Sequence, residues 1–260
     1  MPIVTLTTDF GTRDSYAGAL KGAILSLDPK LNLVDISHDV PPFDIVRAAF
    51  ILKNCWDEFP AGTIHVVSVN PFINADPAFL AVEFNQHFFI LPDNGLLSLL
   101  FPVQINKAFR IALPENSTFP QKNAIAWAVA ALAGGKPVFE IGDQVSDLES
   151  RLTLQPVVNA ELIRGTVIHK DRYGNVITNI TDHLFESARK GRPFSIIFKN
   201  HLPLFKIAQN YTTVPVGETL ALFNDMGLLE IAMNMDDAGS LLDMQIDDTV
   251  QINFQVAPIV

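Results

Sequence analysis

Strand-like and helix-like segments alternate over residues 1–140, and this alternation constrains the fold of the chain more than any other feature. Short runs rich in β-branched residues at 3–7, 33–36 and 63–69 are separated by segments with helical spacing at 16–27 and 44–52. Further elements are predicted, in order, at residues 79–84, 88–91, 94 or 95 onward, 108–113 and 125–132. Strands separated by helices predict a mostly parallel sheet with helices on both faces.

The rest of the chain has a different pattern, in which short β-rich runs are separated by Gly, Pro and Asn. This spacing predicts a small antiparallel β-barrel with little helix. Its strands are predicted at residues 162–169, 176–179, 194–198, 220–223, 229–233 and 250–254, and its short helices at 182–190 and 237–242. A polar stretch at residues 144–160 separates an α/β domain at 1–150 from a smaller β-barrel domain at 160–260.

Composition and charge argue against several classes of partner. Of the 260 residues, 48% are hydrophobic and 18% are charged, which predicts a folded chain with a large core. The formal net charge of −10, without any cluster of Lys or Arg, argues against nucleic-acid binding. No apolar run reaches the roughly 18–20 residues of a membrane span. Because the first residues also lack the pattern of a secretory signal, a cytoplasmic protein is predicted.

Metal and nucleotide motifs are missing from the sequence. The single cysteine, Cys55, excludes a disulfide framework and a multi-cysteine zinc site. The six histidines have neither HxH nor HExxH spacing, so no metal site is predicted, and His65 in its apolar strand is interpreted as a core residue. Neither a GxGxxG motif nor a P-loop is present, so the sequence does not support dinucleotide or triphosphate binding.

Polar residues follow several of the predicted strands. Asp9 follows the first strand, His38 the second and Asn70 the third, while Asp93 and Asn94 follow the strand at residues 88–91. Open α/β sheets bind ligands beyond the carboxyl ends of their strands, so these residues predict a crevice at that edge. Asp and Asn are also the usual residues of turns and helix caps, and that alternative stays open for each position.

The β-rich half contains one distinctive turn, at Tyr173-Gly174-Asn175 between two predicted strands. One interpretation is a β-hairpin in which Asp171 and Asn175 cap the turn. The other is a purine site, because an Asn amide both donates and accepts hydrogen bonds and a Tyr ring offers a stacking surface.

A set of short blocks, taken in order, resembles a known family. The blocks are Thr8-Asp9-Phe10-Gly11, Asp14-Ser15-Tyr16, Lys21-Gly22, the run from Ser37 to Ile45, Pro92-Asp93-Asn94-Gly95-Leu96-Leu97, Asp171-Arg172-Tyr173-Gly174-Asn175 and the run from Gly227 to Ala232. In that order they resemble the S-adenosyl-L-methionine hydroxide adenosyltransferase family, which also includes fluorinase and chlorinase. The resemblance covers nearly the whole chain.

The resemblance implies an α/β amino domain, a small β-barrel carboxy domain, and homotrimers with sites between subunits. It implies displacement at the 5′ carbon of the ribose, with methionine leaving from the sulfonium. Water or hydroxide gives adenosine, and a halide gives a haloadenosine. The expected small-molecule partner is therefore S-adenosyl-L-methionine or a nucleoside, and no cofactor or metal is expected, because a sulfonium is already a good leaving group.

The resemblance also assigns roles to individual residues. The position of Asp9 holds the ribose diol, and that of Phe43 packs against the sugar. The position of Asp171 meets the methionine amino group, and those of Tyr173 and Asn175 meet the adenine. These five residues are therefore expected to bind substrate.

The sequence departs from the family pattern where the nucleophile is activated. The hydrolases carry an Asp-Arg-His set, whose positions fall here on Asn70, Pro77 and Pro120. Neither an amide nor a proline ring can act as a general base, so a rearranged nucleophile pocket built from Asn70, Asn74 and Gln121 is expected, with Asn70 and Gln121 as its catalytic residues.

A second departure concerns the methionine end. The halogenases have Ser and Arg at the positions of Asp225 and Met226, where they meet the methionine carboxylate. Asp225 is therefore a substrate-binding position at which a like charge would face that carboxylate.

Three hypotheses follow. The first is an active adenosyltransferase or hydrolase, with Asn70, Gln121 and Ser68 meeting in a closed polar pocket. The second is a catalytically degenerate protein that binds adenosine or another nucleoside without turnover. The third is a scaffold kept only for its oligomer, which predicts that Phe72, Ile73 and Pro120 fill the cavity.

Overall fold

The computed structural model describes residues 2–73, 77–101, 105, 107–114 and 117–254. The chain divides into two compact units, residues 1–153 and residues 154–260. Asn74, one of the residues expected in the nucleophile pocket, lies outside the described residues. No helix among those described is long and apolar enough to cross a bilayer.

The N-terminal unit is built on one mixed sheet with the strand order β2-β1-β3-β5-β4-β6-β7. Its elements are β1 (Ile3–Thr8), α1 (Tyr16–Leu27), β2 (Asn32–Ser37), α2 (Ile45–Lys53), β3 (Ile64–Ser68), β4 (Phe79–Phe84), β5 (His87–Pro92), α3 (Leu96–Leu100), β6 (Ala108–Ile111), α4 (Pro120–Ala133) and β7 (Asp143–Val145). The neighbouring strands β2, β1, β3 and β5 are parallel. The pairs β5 with β4, β4 with β6 and β6 with β7 are antiparallel. The predicted α/β class with a parallel-rich sheet is confirmed.

Side-chain alternation divides the sheet into two buried faces. On β1, Val4 and Leu6 pack in the same core cluster as residues of α1 and α4. On β3, Val67 points to the opposite face, where it packs with residues of α2 and α3. Because successive side chains of a strand point to opposite faces, Thr8 continues the series of Val4 and Leu6 towards α1 and α4.

Helix α4 covers the first of these faces and begins earlier than the sequence predicts. Its buried residues recur at helical spacing from Gln121 through Ala124, Ile125 and Ala128. The prediction of a helix at residues 125–132 was wrong at its start, because the polar Gln121 occupies the first position of the buried stripe and hides the apolar period.

The C-terminal unit is an antiparallel sheet, curled into a half-barrel, with the strand order β11-β14-β9-β10-β13-β12 and β8 paired to β9. Its elements are β8 (Val157–Val158), β9 (Leu162–Lys170), β10 (Val176–Thr181), α5 (Asp182–Arg189), β11 (Phe194–Phe198), β12 (Thr219–Phe223), β13 (Leu228–Met233), α6 (Ala238–Leu241) and β14 (Thr249–Phe254). The strands and helices predicted for this half are all present. The half-barrel closes on an apolar core around the fully buried Phe185 of α5.

A buried pair of histidines lies on the α2 and α3 side of the sheet. His65 Nδ1 hydrogen-bonds Thr5 Oγ1 at 2.8 Å, and His65 Nε2 lies 3.1 Å from His87 Nδ1. The His65 ring stacks on Phe89 with ring centroids 4.9 Å apart. Burial, with the neighbouring His87 adding to it, lowers the pKa of His65 to about 3, so this ring is neutral in the folded state. The interpretation of His65 as a core residue is confirmed.

Replacing His65 by Gln is expected to flatten the pH dependence of stability between pH 6.5 and about 3. In that window the unfolded chain binds a proton that the folded imidazole does not, so the wild-type protein loses stability as the pH falls. The contribution of His65 is about 2–5 kcal/mol in the free energy of unfolding. Urea unfolding followed by the fluorescence of Trp56 and Trp127, which both lie in the N-terminal unit, measures it.

The control for this experiment is His183→Gln, because His183 is an exposed histidine of α5. That variant is expected to keep the wild-type slope of unfolding free energy against pH. A wild-type slope in His65→Gln would contradict the neutral, buried state of the ring.

Candidate functional site

Asp9 connects the loops at the carboxyl ends of the parallel strands. It follows β1, and its Oδ2 accepts the backbone N–H of Phe43 at 3.0 Å and that of Asn70 at 3.4 Å. Phe43 lies between β2 and α2, and Asn70 lies just after β3. Three of the expected residues, Asp9, Phe43 and Asn70, are therefore held together at the edge where the sequence predicts a crevice.

Phe43 and Asn70 both have left-handed backbone conformations, with φ of 68° and 47°. Non-glycine residues rarely adopt such angles, which cost about 1–3 kcal/mol each and concentrate at functional sites. The Asn70 Nδ2 donates to the Phe43 carbonyl oxygen at 3.4 Å, so the two loops also contact each other directly. The Phe43 side chain is 70% exposed, which leaves its ring available to a ligand.

Asn94 supports the Asn70 loop from below. It is 2% exposed, and its Nδ2 donates to the carbonyl oxygens of Val69 and Asn70, each at 3.0 Å. Its Oδ1 accepts the N–H of Leu96 at 3.2 Å, at the start of α3. This residue, predicted as a strand-end polar group, therefore acts as a brace whose three polar contacts are internal.

A polar chain runs sideways from β1 to the surface. Thr8 Oγ1 and His38 Nδ1 are 2.8 Å apart, and Thr8 Oγ1 also accepts the N–H of Phe10 at 3.3 Å. His38 Nε2 lies 3.1 Å from Asp35 Oδ1, and Asp35 Oδ2 pairs with Lys21 Nζ at 2.6 Å. Burial raises the pKa of Asp35, but the neighbouring Lys21 and His38 outweigh it, so the carboxyl pKa is lowered and the group is ionised.

Two buried side-chain oxygens on the α1 and α4 side have no hydrogen-bond partner among the described residues. They are Oγ of Ser68, which is fully buried at the end of β3, and Oε1 of Gln121, which is 6% exposed. Buried polar atoms are almost always satisfied, by protein or by ordered water, so these two mark a polar position rather than a packed core.

Both oxygens lie at the same edge of the sheet. Ser68 pairs in register with Thr8, and its side chain follows Val66 onto the face covered by α4. Gln121 lies in the first turn of α4, two residues after Phe119, whose ring centroid is 5.7 Å from that of Phe10. Since Phe10 follows β1, the start of α4 lies at the carboxyl ends of β1 and β3.

Of the three apolar residues expected to fill the cavity in a pure scaffold, Pro120 is half-buried, and Phe72 and Ile73 are exposed. Phe72 is 48% exposed and Ile73 is 47% exposed. Because both side chains face solvent, the structure contradicts this expectation of the scaffold hypothesis.

In the C-terminal unit, Asp171 organises the turn between β9 and β10. Its Oδ1 accepts the N–H groups of Tyr173 and Asn175 at 2.9 Å each, and its Oδ2 accepts from Asn175 Nδ2 at 2.9 Å. These bonds agree with the interpretation of a capped hairpin turn, with Asp171 as the cap and the Asn175 side chain donating to it. Tyr173 is 80% exposed, so its ring is accessible, whereas Asn175 is buried.

The start of α6 packs against the same turn. Gly174 has φ +84°, and a Cβ at this position would overlap the Asp237 carboxylate. The Gly239 N–H donates to the Gly174 carbonyl oxygen at 2.8 Å. Only glycine satisfies both the backbone angle and the close approach, so the turn has one fixed shape.

Asp225 lies in the turn between β12 and β13, near a buried carboxyl group. Glu230 is 2% exposed and accepts from Tyr211 OH at 2.8 Å and from Asn224 Nδ2 at 3.0 Å. Burial and the negative charges of Asp171 and Asp225 raise the pKa of Glu230 more than these hydrogen bonds lower it. Asp225 and Asp171 are therefore both close enough to Glu230 to raise the pKa of its carboxyl group, and their negative charges lie in the same region.

The sequence places His38 at the end of its strand but does not predict the series of polar contacts from Lys21 to Thr8. The available signal was a hydroxyl residue closing each of two apolar strands, at Thr8 and Ser68. The pairing of those strands was needed to bring the hydroxyls side by side.

The N-terminal unit thus belongs to the open α/β class, with polar residues gathered where such sheets bind ligands. The sequence profile of the SAM hydroxide adenosyltransferase N-terminal domain matches residues 4–142, and that of the C-terminal domain matches residues 165–251. The chain belongs to the S-adenosyl-L-methionine hydroxide adenosyltransferase family.

Individual relatives cover nearly the full length. The chain is 30% identical to the (R)-S-adenosyl-L-methionine hydrolase of Methanocaldococcus jannaschii, over 97% of this chain and 96% of the relative. It is 24% identical to the fluorinase of an Actinoplanes species, over 90% and 91% of the two chains. A crystal structure of an uncharacterized conserved protein from Thermotoga maritima superposes with a TM-score of 0.85 at 28% identity, covering 96% of this chain and 99% of that one.

Replacing Asn94 by Asp is expected to lower the free energy of unfolding of the N-terminal unit by about 1–3 kcal/mol. The change keeps the acceptor for Leu96 but places an oxygen opposite the carbonyl groups of Val69 and Asn70. Urea unfolding followed by tryptophan fluorescence gives the difference. Asn54→Asp is the matched control, because the exposed Asn54 amide donates to the Phe50 carbonyl oxygen and to no other described residue, and its cost is expected within about 0.5 kcal/mol. Equal costs for the two variants would contradict the bracing role.

Proposed function

We propose that this protein hydrolyses S-adenosyl-L-methionine at the 5′ carbon of the ribose, giving adenosine and methionine. The observation that carries the proposal is the Asp9 carboxylate, held by backbone amides of two loops at the ligand-binding edge of the sheet. Family membership and the names of the hydrolase relatives support the same activity. No cofactor or metal is part of the proposed reaction.

The geometry of Asp9 suits a ribose diol. Both amide hydrogen bonds reach Oδ2, and Oδ1 makes no hydrogen bond to the residues that the structure describes. A carboxylate oxygen in that position accepts hydrogen bonds from hydroxyl groups, and such charge-assisted bonds are the stronger kind. Phe43, whose ring is exposed on the neighbouring loop, is proposed to pack against the sugar.

No carboxylate is proposed to deprotonate the nucleophile. Amide side chains are proposed to position it instead. The family's Asp-Arg-His positions carry Asn70, Pro77 and Pro120 here. Asn70 and Gln121 are therefore proposed to orient the attacking group, since an aligned nucleophile in a water-poor pocket supplies much of the rate of a displacement.

The turn of the C-terminal unit is proposed to recognise the base and the methionine amino group. Tyr173 presents an exposed ring for stacking, and the Asn175 amide is oriented by Asp171. Asp171 is proposed to meet the amino group of methionine. A homotrimer and a cytoplasmic location belong to the same proposal, and sedimentation velocity tests the first of these.

A second candidate function is nucleoside binding without turnover, and Asp225 favours it. Its negative charge acts in the same region as those of Asp171 and Glu230. A methionine carboxylate placed there would meet repulsion, whereas adenosine carries no such group.

Titration calorimetry with S-adenosyl-L-methionine and with adenosine, combined with chromatography for released adenosine, separates the two functions. Adenosine release at a rate proportional to protein supports the hydrolase. Adenosine binding without release supports the second candidate. If the protein neither binds these ligands nor releases adenosine, both candidate functions are overturned.

Replacing Asp9 by Ala is expected to weaken adenosine binding by about 2–4 kcal/mol, because the hydrogen bonds to the diol are lost. The sharper readout is 2′-deoxyadenosine, which the wild-type protein should bind less tightly than adenosine while Asp9→Ala binds the two alike. The exposed Asp39, on the loop after β2, provides the control variant Asp39→Ala, which should keep the wild-type preference. A preference for adenosine that survives in Asp9→Ala would refute the ribose contact.

Replacing Asp225 by Asn is expected to tighten S-adenosyl-L-methionine binding by about 0.5–1 kcal/mol, because a like charge facing the methionine carboxylate is removed. Adenosine affinity should not change, and the gain should shrink at high salt. Calorimetry at two salt concentrations measures both effects, with the exposed Asp243→Asn as control. Unchanged or weaker S-adenosyl-L-methionine binding would place the carboxylate elsewhere.

A further inference from the structure

One row of polar side chains crosses the α1 and α4 face of the sheet at its carboxyl edge. From the surface inward its members are Lys21, Asp35, His38, Thr8, Ser68 and Gln121. The first four are connected by contacts between 2.6 and 3.1 Å. The contact of His38 Nε2 with Asp35 is an ion-pair distance without hydrogen-bond geometry, and the last two members carry oxygens that have no partner among the described residues.

The hydrogen bonds give this row a direction. The Thr8 hydroxyl oxygen accepts the Phe10 N–H at 3.3 Å and lies 2.8 Å from His38 Nδ1. In the tautomer that carries its hydrogen on Nε2, His38 Nδ1 accepts the Thr8 proton. The second imidazole nitrogen, Nε2, lies 3.1 Å from Oδ1 of the ionised Asp35, so a counter-charge stands beside the ring. A hydroxyl, an imidazole and a carboxylate in series are the elements that move a proton in many hydrolytic sites.

The buried end lies beside the proposed ribose site. Thr8 immediately precedes Asp9, and Ser68 lies two residues before Asn70. Paired residues of adjacent parallel strands project their side chains side by side, so the Thr8 and Ser68 hydroxyls are neighbours. Oγ of Ser68 and Oε1 of Gln121 require hydrogen-bond partners, and a water molecule supplies donors for both.

We propose that Ser68 and Gln121 hold the attacking water and that its proton leaves through Thr8 to His38, with Asp35 as the counter-charge. This inference rests on the proposed hydrolysis. The water oxygen forms a bond to the 5′ carbon while the bond from that carbon to sulfur breaks. The electron pair of the broken bond stays on sulfur and converts the sulfonium into the neutral thioether of methionine. The water proton passes to the Thr8 oxygen as the Thr8 proton passes to His38 Nδ1, and the imidazolium later releases it to solvent. Thr8 and His38 replace the acid–base group that Asn70 and the prolines cannot provide.

The test compares Thr8→Val, which is nearly isosteric and lacks the hydroxyl, with Thr8→Ser, which retains it. Thr8→Val is expected to lower kcat for adenosine release about 100-fold or more, with KM within about threefold of wild type, and Thr8→Ser is expected to stay within about tenfold. His38→Gln, which accepts a hydrogen bond but takes up no proton at neutral pH, should show the same loss as Thr8→Val. Adenosine affinity, measured by calorimetry, should be unchanged in all three.

Strand β1 itself provides the matched control. Thr5 Oγ1 is 2.8 Å from His65 Nδ1, the same distance as in the Thr8 and His38 pair, but on the opposite face of the sheet. Thr5→Val removes an equivalent hydrogen bond and should leave kcat unchanged.

The outcomes separate this inference from the proposed function. Adenosine release by the wild-type protein, with kcat retained in Thr8→Val or His38→Gln, would overturn the relay and leave the hydrolase intact. A rise in KM or a loss of adenosine affinity with unchanged kcat would show a merely structural role and would also overturn it. No adenosine release by the wild-type protein would overturn both proposals.

Discussion

One oxygen atom, Oδ2 of Asp9, fixes the loops at the carboxyl edge of the parallel strands. The parallel strands β1, β2 and β3 bring their carboxyl ends together, but strand pairing alone does not determine the path of the chain beyond them. The Asp9 carboxylate does so by accepting amides from Phe43 and Asn70. Each such bond to a charged group contributes about 1.5–3 kcal/mol, which offsets the roughly 1–3 kcal/mol of each left-handed residue.

Much of the fold follows from the sequence, because burial on both faces of a parallel sheet produces apolar runs such as residues 63–69 that little else explains. The elements that the sequence did not predict, or predicted with a wrong start, have physical causes. Strands β7 and β8 have only three and two residues and are largely exposed, so they have no period to detect. Helix α4 starts at a buried Gln, and its true beginning shows only when a neighbouring surface buries that side chain.

The site was predictable to a lesser degree. Asp9 and Asn70 could be expected at one edge, because parallel strands end at the same edge and both residues follow strands. The link from Thr8 to His38 could not be derived in this way. It depends on a register shift in which Leu6 pairs with Asp35 but Thr7 pairs with Ser37. The extra residue in β2 changes the face of the sheet to which the side chains after Asp35 point. Periodicity in a single strand carries no information about such a shift. The roles of Tyr173 and Asn175 came from family resemblance, since their hydrogen bonds equally describe a capped turn.

The contact between Gly174 and Asp237 limits how this protein can diversify. Any side chain at position 174 meets the carboxylate that begins α6, so two segments more than sixty residues apart in sequence must change together or not at all. Of the two residues beside this glycine, Tyr173 is exposed and its side chain can be exchanged, whereas the buried Asn175 side chain donates to Asp171 and helps to hold the turn. A lineage that varied this surface would keep the glycine and the asparagine and alter Tyr173.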